Sequence, residues 1–140
     1  MRTLRTLVAF MALALSGAAN AANAVNIAID STTNDSIGRQ LATNLREKVN
    51  SSSLLSLVYG DSVSSLKVHF VTLNPDEGAT QNYTVYSFVL VAHFTNDGLD
   101  RYLTSSVGTC GLSKIDACAS DIKATIDEWA DALRNVAAKK

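Results

Sequence analysis

From Leu66 to Leu73 (LKVHFVTL) and again from Tyr83 to Phe94 (YTVYSFVLVAHF), β-branched and aromatic residues dominate and neither Gly nor Pro occurs. The intervening NPDEGATQN holds the only proline and a cluster of turn formers, so the two runs predict a hairpin. With its turn centred near Gly78, Leu66 opposes Leu90, Val68 opposes Phe88 and Phe70 opposes Tyr86 on a wholly apolar face. The other face carries Lys67 opposite Val89, His69 opposite Ser87 and Val71 opposite Val85, and is extended by Val91 and His93. A slip of one residue would exchange the two faces, and the parity of the apolar residues selects this one.

The pattern elsewhere supplies five more elements. Val25–Asp30 (VNIAID) alternates as a strand with one buried side. Ser31 to Asp35 offers N-cap candidates for a helix whose Ile37, Leu41, Leu45 and Val49 form one apolar stripe. Gly38 beside that stripe costs about 1 kcal/mol relative to Ala, so its expected use is close approach to the sheet. Arg39, Gln40, Arg46 and Glu47 are expected to face water. Leu54–Tyr59 is a short strand, and Arg101–Val107 a last one, with Gly108 and Gly111 marking the turn out of it. Asn96-Asp97-Gly98 forms a polar turn before that strand.

A closing helix opens on the capping-box form Ser113-Lys114-Ile115-Asp116. Its stripe is Ile115, Cys118, Ala119, Ile122, Ile126, Trp129, Leu133 and Val136, with Trp129 as the largest contributor and Lys139 and Lys140 suited to its C-terminal end. The order β-α-β-β-β-β-α, with one stripe per helix, predicts an α/β (α+β) two-layer sandwich: a mixed sheet with both helices on one face. The opposite face, including Lys67, His69, Val71, Val85, Ser87, Val89 and Val91, then has no covering element and becomes a candidate surface for a protein partner or a second copy.

Composition adds an address. Arg2 and Arg5, the apolar run Leu7–Leu15 and Ala19-Asn20-Ala21 have the form of a cleavable signal peptide over residues 1–21, with Ala24 as a second cleavage point. A single secreted domain over 22–140 is expected to follow, with no membrane insertion after cleavage. Leu15-Ser16-Gly17-Ala18 lacks the Cys that a bacterial lipoprotein signal needs in its last place. The expectation is therefore a periplasmic or secreted protein that is not a lipoprotein. Removing the two arginines leaves 10 basic residues against 13 acidic ones, net −3, which argues against nucleic acid.

Cys110 and Cys118 are expected to form one disulfide in an oxidising compartment, worth roughly 2.5 kcal/mol in the chain-entropy model. It would pin the last strand to the closing helix. The spacing is wrong for a C-x-x-C redox pair, and no His lies close enough in sequence to complete a zinc site.

The search for chemistry yields little. His69 beside Ser87 is the one pair that would suit a small hydrolase or a metal-dependent enzyme, but no third group orients it and a flat sheet offers no oxyanion hole. The two histidines lie too far apart to share one ion. Asp127, Glu128 and Asp131 read as a solvated helix face, supported by Lys123–Asp127 and Asp131–Arg134 pairs at helix spacing. Thr32, Thr33, Asn34 and Ser36 lie where a helix N-terminus could hold a small anion, but Asp30 and Asp35 would repel it and the side chains serve better as caps. No metal, cofactor or catalytic set is expected, and none of the common nucleotide, zincin or hydrolase motifs occurs.

The segments NDSIGRQLATNLRE, VHFVTLNPD, TVYSFVLV and YLTSSVGTCG together resemble a group of small secreted proteins of Gram-negative bacteria, from which no activity follows. The strand-helix opening and closing helix are also similar in architecture to the amino-terminal domain of the Tol-system propeller protein. The functional expectation is a non-enzymatic periplasmic binding or accessory module.

Overall fold

A computed structural model describes residues 24–60, 65–76, 82–94 and 98–137. The expected leader, the turn at Gly78, the Asn96-Asp97 pair and Lys139 and Lys140 lie outside these residues. The elements are β1 (Val25–Thr33), α1 (Ser36–Asn50), β2 (Leu55–Leu57), β3 (Leu66–Leu73), β4 (Tyr83–Phe94), β5 (Leu99–Gly111), a 3-10 turn over Leu112–Lys114, and α2 (Ile115–Ala137). They build a mixed five-stranded sheet in the order β2-β1-β3-β4-β5. β1 pairs in parallel with β2 and β3, whereas β3–β4 and β4–β5 are antiparallel.

Both helices pack on one face. A single apolar core joins Ile27, Leu66, Val68, Phe70, Phe88 and Leu90 of the sheet to Ile37, Leu41, Leu45 and Val49 of α1 and Ile115, Ala119, Ile122 and Ile126 of α2. Burying each of the larger side chains contributes about 1.5–3 kcal/mol, so this layer is the main source of stability. Ala130 is fully buried in the same stripe, Trp129 packs against the core partly buried, and Val136 is exposed beyond it.

The start of α1 is fixed by Asp35. One carboxylate oxygen accepts from the Gly38 N–H at 2.6 Å, and the other accepts from the Thr84 hydroxyl of β4 at 2.8 Å. The helix N-terminus is thus capped and tied to the sheet by one buried side chain. Gly38 serves the close approach its position suggested: a Cβ there would stand 2.6 Å from the Thr72 Cβ and 2.8 Å from Asp35 Oδ2.

Arg46 departs from the expectation of a solvated side chain. Its guanidinium donates to the Ile29 carbonyl at 3.2 Å and to the Ser31 hydroxyl at 2.8 Å. The reason lies in the short β2, whose pairing with β1 ends at Ile27 opposite Leu57. The next outward carbonyl of β1 then needs another donor, and α1 supplies it.

β5 is longer than the sequence suggested at both ends. Gly108 is a strand residue rather than a turn: a Cβ there would meet the Tyr86 ring at 2.7 Å, and that ring stacks on Phe70 with centroids 6.2 Å apart. The disulfide joins Cys110 near the end of β5 to Cys118 in the first turns of α2, with Cα atoms 6.2 Å apart.

Candidate functional site: the open sheet face

β3 and β4 carry the candidate surface. Their bounds are as expected, but the pairing is displaced by two residues: Leu66 faces Ala92, Val68 faces Leu90 and Phe70 faces Phe88. Alternation fixes parity and so the faces, while a nine-residue connection leaves the register free by even steps. The consequence falls on the open face. His69 stands opposite Val89 and Ser87 opposite Val71, so the expected His69–Ser87 cross-strand pair does not form. His69 instead turns its ring towards Asp30 of β1, at 3.7 Å.

The open face divides into rows that run across the strands. In the first, Ala28, Lys67, Val91 and Tyr102 stand side by side. Lys67 and Val91 are only 7% and 9% exposed, so neither belongs to the accessible surface, contrary to expectation. Asp100 of β5 accounts for part of this. It accepts from the Lys67 ammonium at 3.4 Å and bonds His93 Nδ1 at 2.6 Å, drawing three charged or titratable side chains over this end of the sheet. The hydrogen bond from His93 holds the Asp100 carboxyl below its ordinary range, burial opposes this, and the Lys67 charge assists.

The second row is Asp30, His69, Val89 and Ser105, and the third is Thr32, Val71, Ser87 and Val107. Leu73, Val85 and Thr109 form the last. Val71, Leu73 and Val107 are 47%, 55% and 71% exposed, with Val85 and Val89 half-buried between them. A polar clamp at one end of the face thus gives way to an apolar patch at the other. Leu73 and Val107 extend the surface that the alternation of β3 and β4 defined. Asp100 also escaped the sequence reading, although continuing the β4–β5 hairpin in register would have set it opposite His93.

At the other candidate site, the Asp35 carboxylate itself occupies the N-terminus of α1, as a cap. Thr32, Asn34 and Ser36 are exposed and Thr33 is half-buried. Among the described residues no group of three His, Cys, Asp or Glu side chains could hold a metal ion. On α2, Lys123 pairs with Asp127 at 2.6 Å and Arg134 with Asp131 at 3.6 Å, the helix-face pairs that the spacing suggested. No described helix is long and apolar enough to cross a membrane.

No protein-family model matches the chain. No curated protein matches it in sequence. Similarity appears with solved structures. The hypothetical protein CT253 of Chlamydia trachomatis matches with a TM-score of 0.54 and 8% identity, over 77% of this chain and 99% of that one. The PelC dodecamer of Paraburkholderia phytofirmans (L103M form) matches with a TM-score of 0.50 and 7% identity, over 71% of this chain and 86% of that one. At such identities the likeness concerns the fold. It agrees with the resemblance to small bacterial proteins of undefined activity, and no enzymatic function is indicated by these neighbours. Likeness to the Tol-system domain is not shown.

One expectation is overturned here. Lipoproteins recur among the similar structures, among them a minor lipoprotein of Acinetobacter baumannii (TM-score 0.35, 10% identity, 74% of this chain and 92% of that one) and lipoprotein GNA1162 of Neisseria meningitidis (TM-score 0.39, 9% identity, 76% and 99%). The inference from Ala18 to a protein that is not a lipoprotein is withdrawn.

Proposed function

We propose that this protein is a non-enzymatic binding or accessory module that works through protein contacts on its open sheet face. The observation that carries the reading is the in-register apolar patch of Val71, Leu73, Val85, Val89 and Val107, over which no described element packs. A monomer that buries one side of its sheet under two helices has little reason to gather valines on the other unless something covers them. PelC, similar in fold, is a dodecamer, and that lends support to a role in assembly. A catalytic reading has less to stand on, since His69 faces Val89 and an aspartate rather than a nucleophile.

The test is to replace both Val71 and Val89 with Glu. With far-UV circular dichroism and melting unchanged, the variant should lose the proteins that cross-link to the wild-type protein in its native host. Equal recovery by variant and wild type removes the reading.

A further inference from the structure

β5 is the outer strand of the sheet on the side away from β2, and its outward edge has a definite pattern. The Leu112 N–H donates to the Asn82 carbonyl at 2.9 Å, in the same register as the β4–β5 ladder. Antiparallel partners alternate between hydrogen-bonded and non-bonded pairs. Cys110, Gly108, Ser106 and Thr104 therefore direct their backbone groups towards β4. Ser105, Val107 and Thr109 direct theirs away from the sheet, where no described strand meets them.

Several features leave this edge open for pairing. From Tyr102 to Ser113 the chain has no charged residue and no proline, the two devices that most often blunt an edge strand. The one bulge, at Leu90/Val91, lies before Thr104, so the strand is regular from there to Gly111. Its middle is exposed on both faces, Val107 on the open side and Ser106 on the helix side. The disulfide at Cys110 anchors its far end.

We infer that β5 pairs antiparallel with β5 of a second copy, about a two-fold axis at Val107. A second copy is favoured over an unlike strand because the segment is complementary to itself. Val107 meets Val107 of the other copy, Ser105 meets Thr109, and Ser106 meets Gly108, so small uncharged side chains stand opposite one another throughout. The three outward residues of each copy supply both donors and acceptors for the new ladder. The two open faces also become continuous, since Val71, Ser87 and Val107 form one row in each copy. This goes beyond the sheet-face reading: it places a contact at the edge, and the two can fail separately.

Light scattering coupled to size exclusion on the protein without its expected leader tests the inference. The wild type should have the mass of a dimer. Val107→Pro removes an outward N–H without touching the β4 ladder, and Val107→Lys sets like charges directly opposite; either should halve the mass. Val107→Cys should give a covalent dimer on a non-reducing gel, because directly opposed residues have Cα atoms ~5.5 Å apart. Val71→Glu, away from the edge, should leave the dimer intact. A monomeric wild type, or a dimer that survives both Val107→Pro and Val107→Lys, overturns the edge contact and leaves the face reading to its own cross-linking test. A dimer lost with Val71→Glu but kept with Val107→Pro would mean stacking of faces, which overturns the edge contact while supporting a binding face.

Discussion

Asp35 and Thr84 lie 49 residues apart in sequence and are joined by a buried hydrogen bond of 2.8 Å that fastens the start of α1 to β4. The same carboxylate caps Gly38, so removing it exposes two deficits together. Asp35→Ala should cost about 2–4 kcal/mol, roughly 1 from the lost cap and 1–3 from the charge-assisted hydrogen bond lost by the Thr84 hydroxyl. That hydroxyl then keeps only the longer contacts to the Leu73 and Val85 carbonyls at 3.3 Å. Thr84→Val should cost less, because the cap survives. Urea unfolding of the two variants gives the comparison directly; equal losses would mean that the cap carries nothing.

Gly38→Ala should run against helix propensity. In an open helix the change gains about 1 kcal/mol. Here the new methyl group meets Thr72 and Asp35, and overpacking of a tight core typically costs about 1–3 kcal/mol. A melting temperature that rises would show that the approach of α1 to β3 has slack.

The Asp100 clamp predicts a pH effect of known sign. Its folded-state pKa is lowered, chiefly by His93, so the unfolded chain takes up its proton first as pH falls. The clamp's contribution is complete above the ordinary carboxylate range and disappears as pH drops through the lowered folded value. Asp100→Asn should therefore be less stable than wild type at neutral pH, and the gap should close at low pH. A gap independent of pH between neutrality and about pH 3 would remove the ionic explanation.

Arg46 and Arg39 lie on the same helix yet should respond differently. Arg46→Ala strips a donor from the Ile29 carbonyl and should cost about 1–2 kcal/mol. Arg39→Ala, at an exposed site, should stay within about 0.5 kcal/mol.

Much of the fold was legible because the information is local and redundant. The bounds of β3 and β4 follow from dense β-branched runs, and both helices from stripes recurring every third or fourth residue. Assignment of Val71, Val85 and Val89 to one face needed only parity. What could not be read depended on partners fixed in three dimensions. The two-residue shift between β3 and β4 preserves every face, so no pattern along the chain signals it. Gly108 resembles a turn until Tyr86 is seen lying over it. Lys67 looks displayed until Asp100 is found across two strands, and Arg46 looks solvated unless one knows where β2 stops.

The cysteine bridge bears on how the molecule answers its surroundings. Because Ser106 is left uncovered even on the helix side, the bond between Cys110 and Cys118 is a principal tether of the outermost strand to α2. Thiol reagents would then act first at the rim of the sheet, loosening amide protons from Thr104 to Cys110 while the buried layer around Phe70 and Leu41 stays protected from exchange.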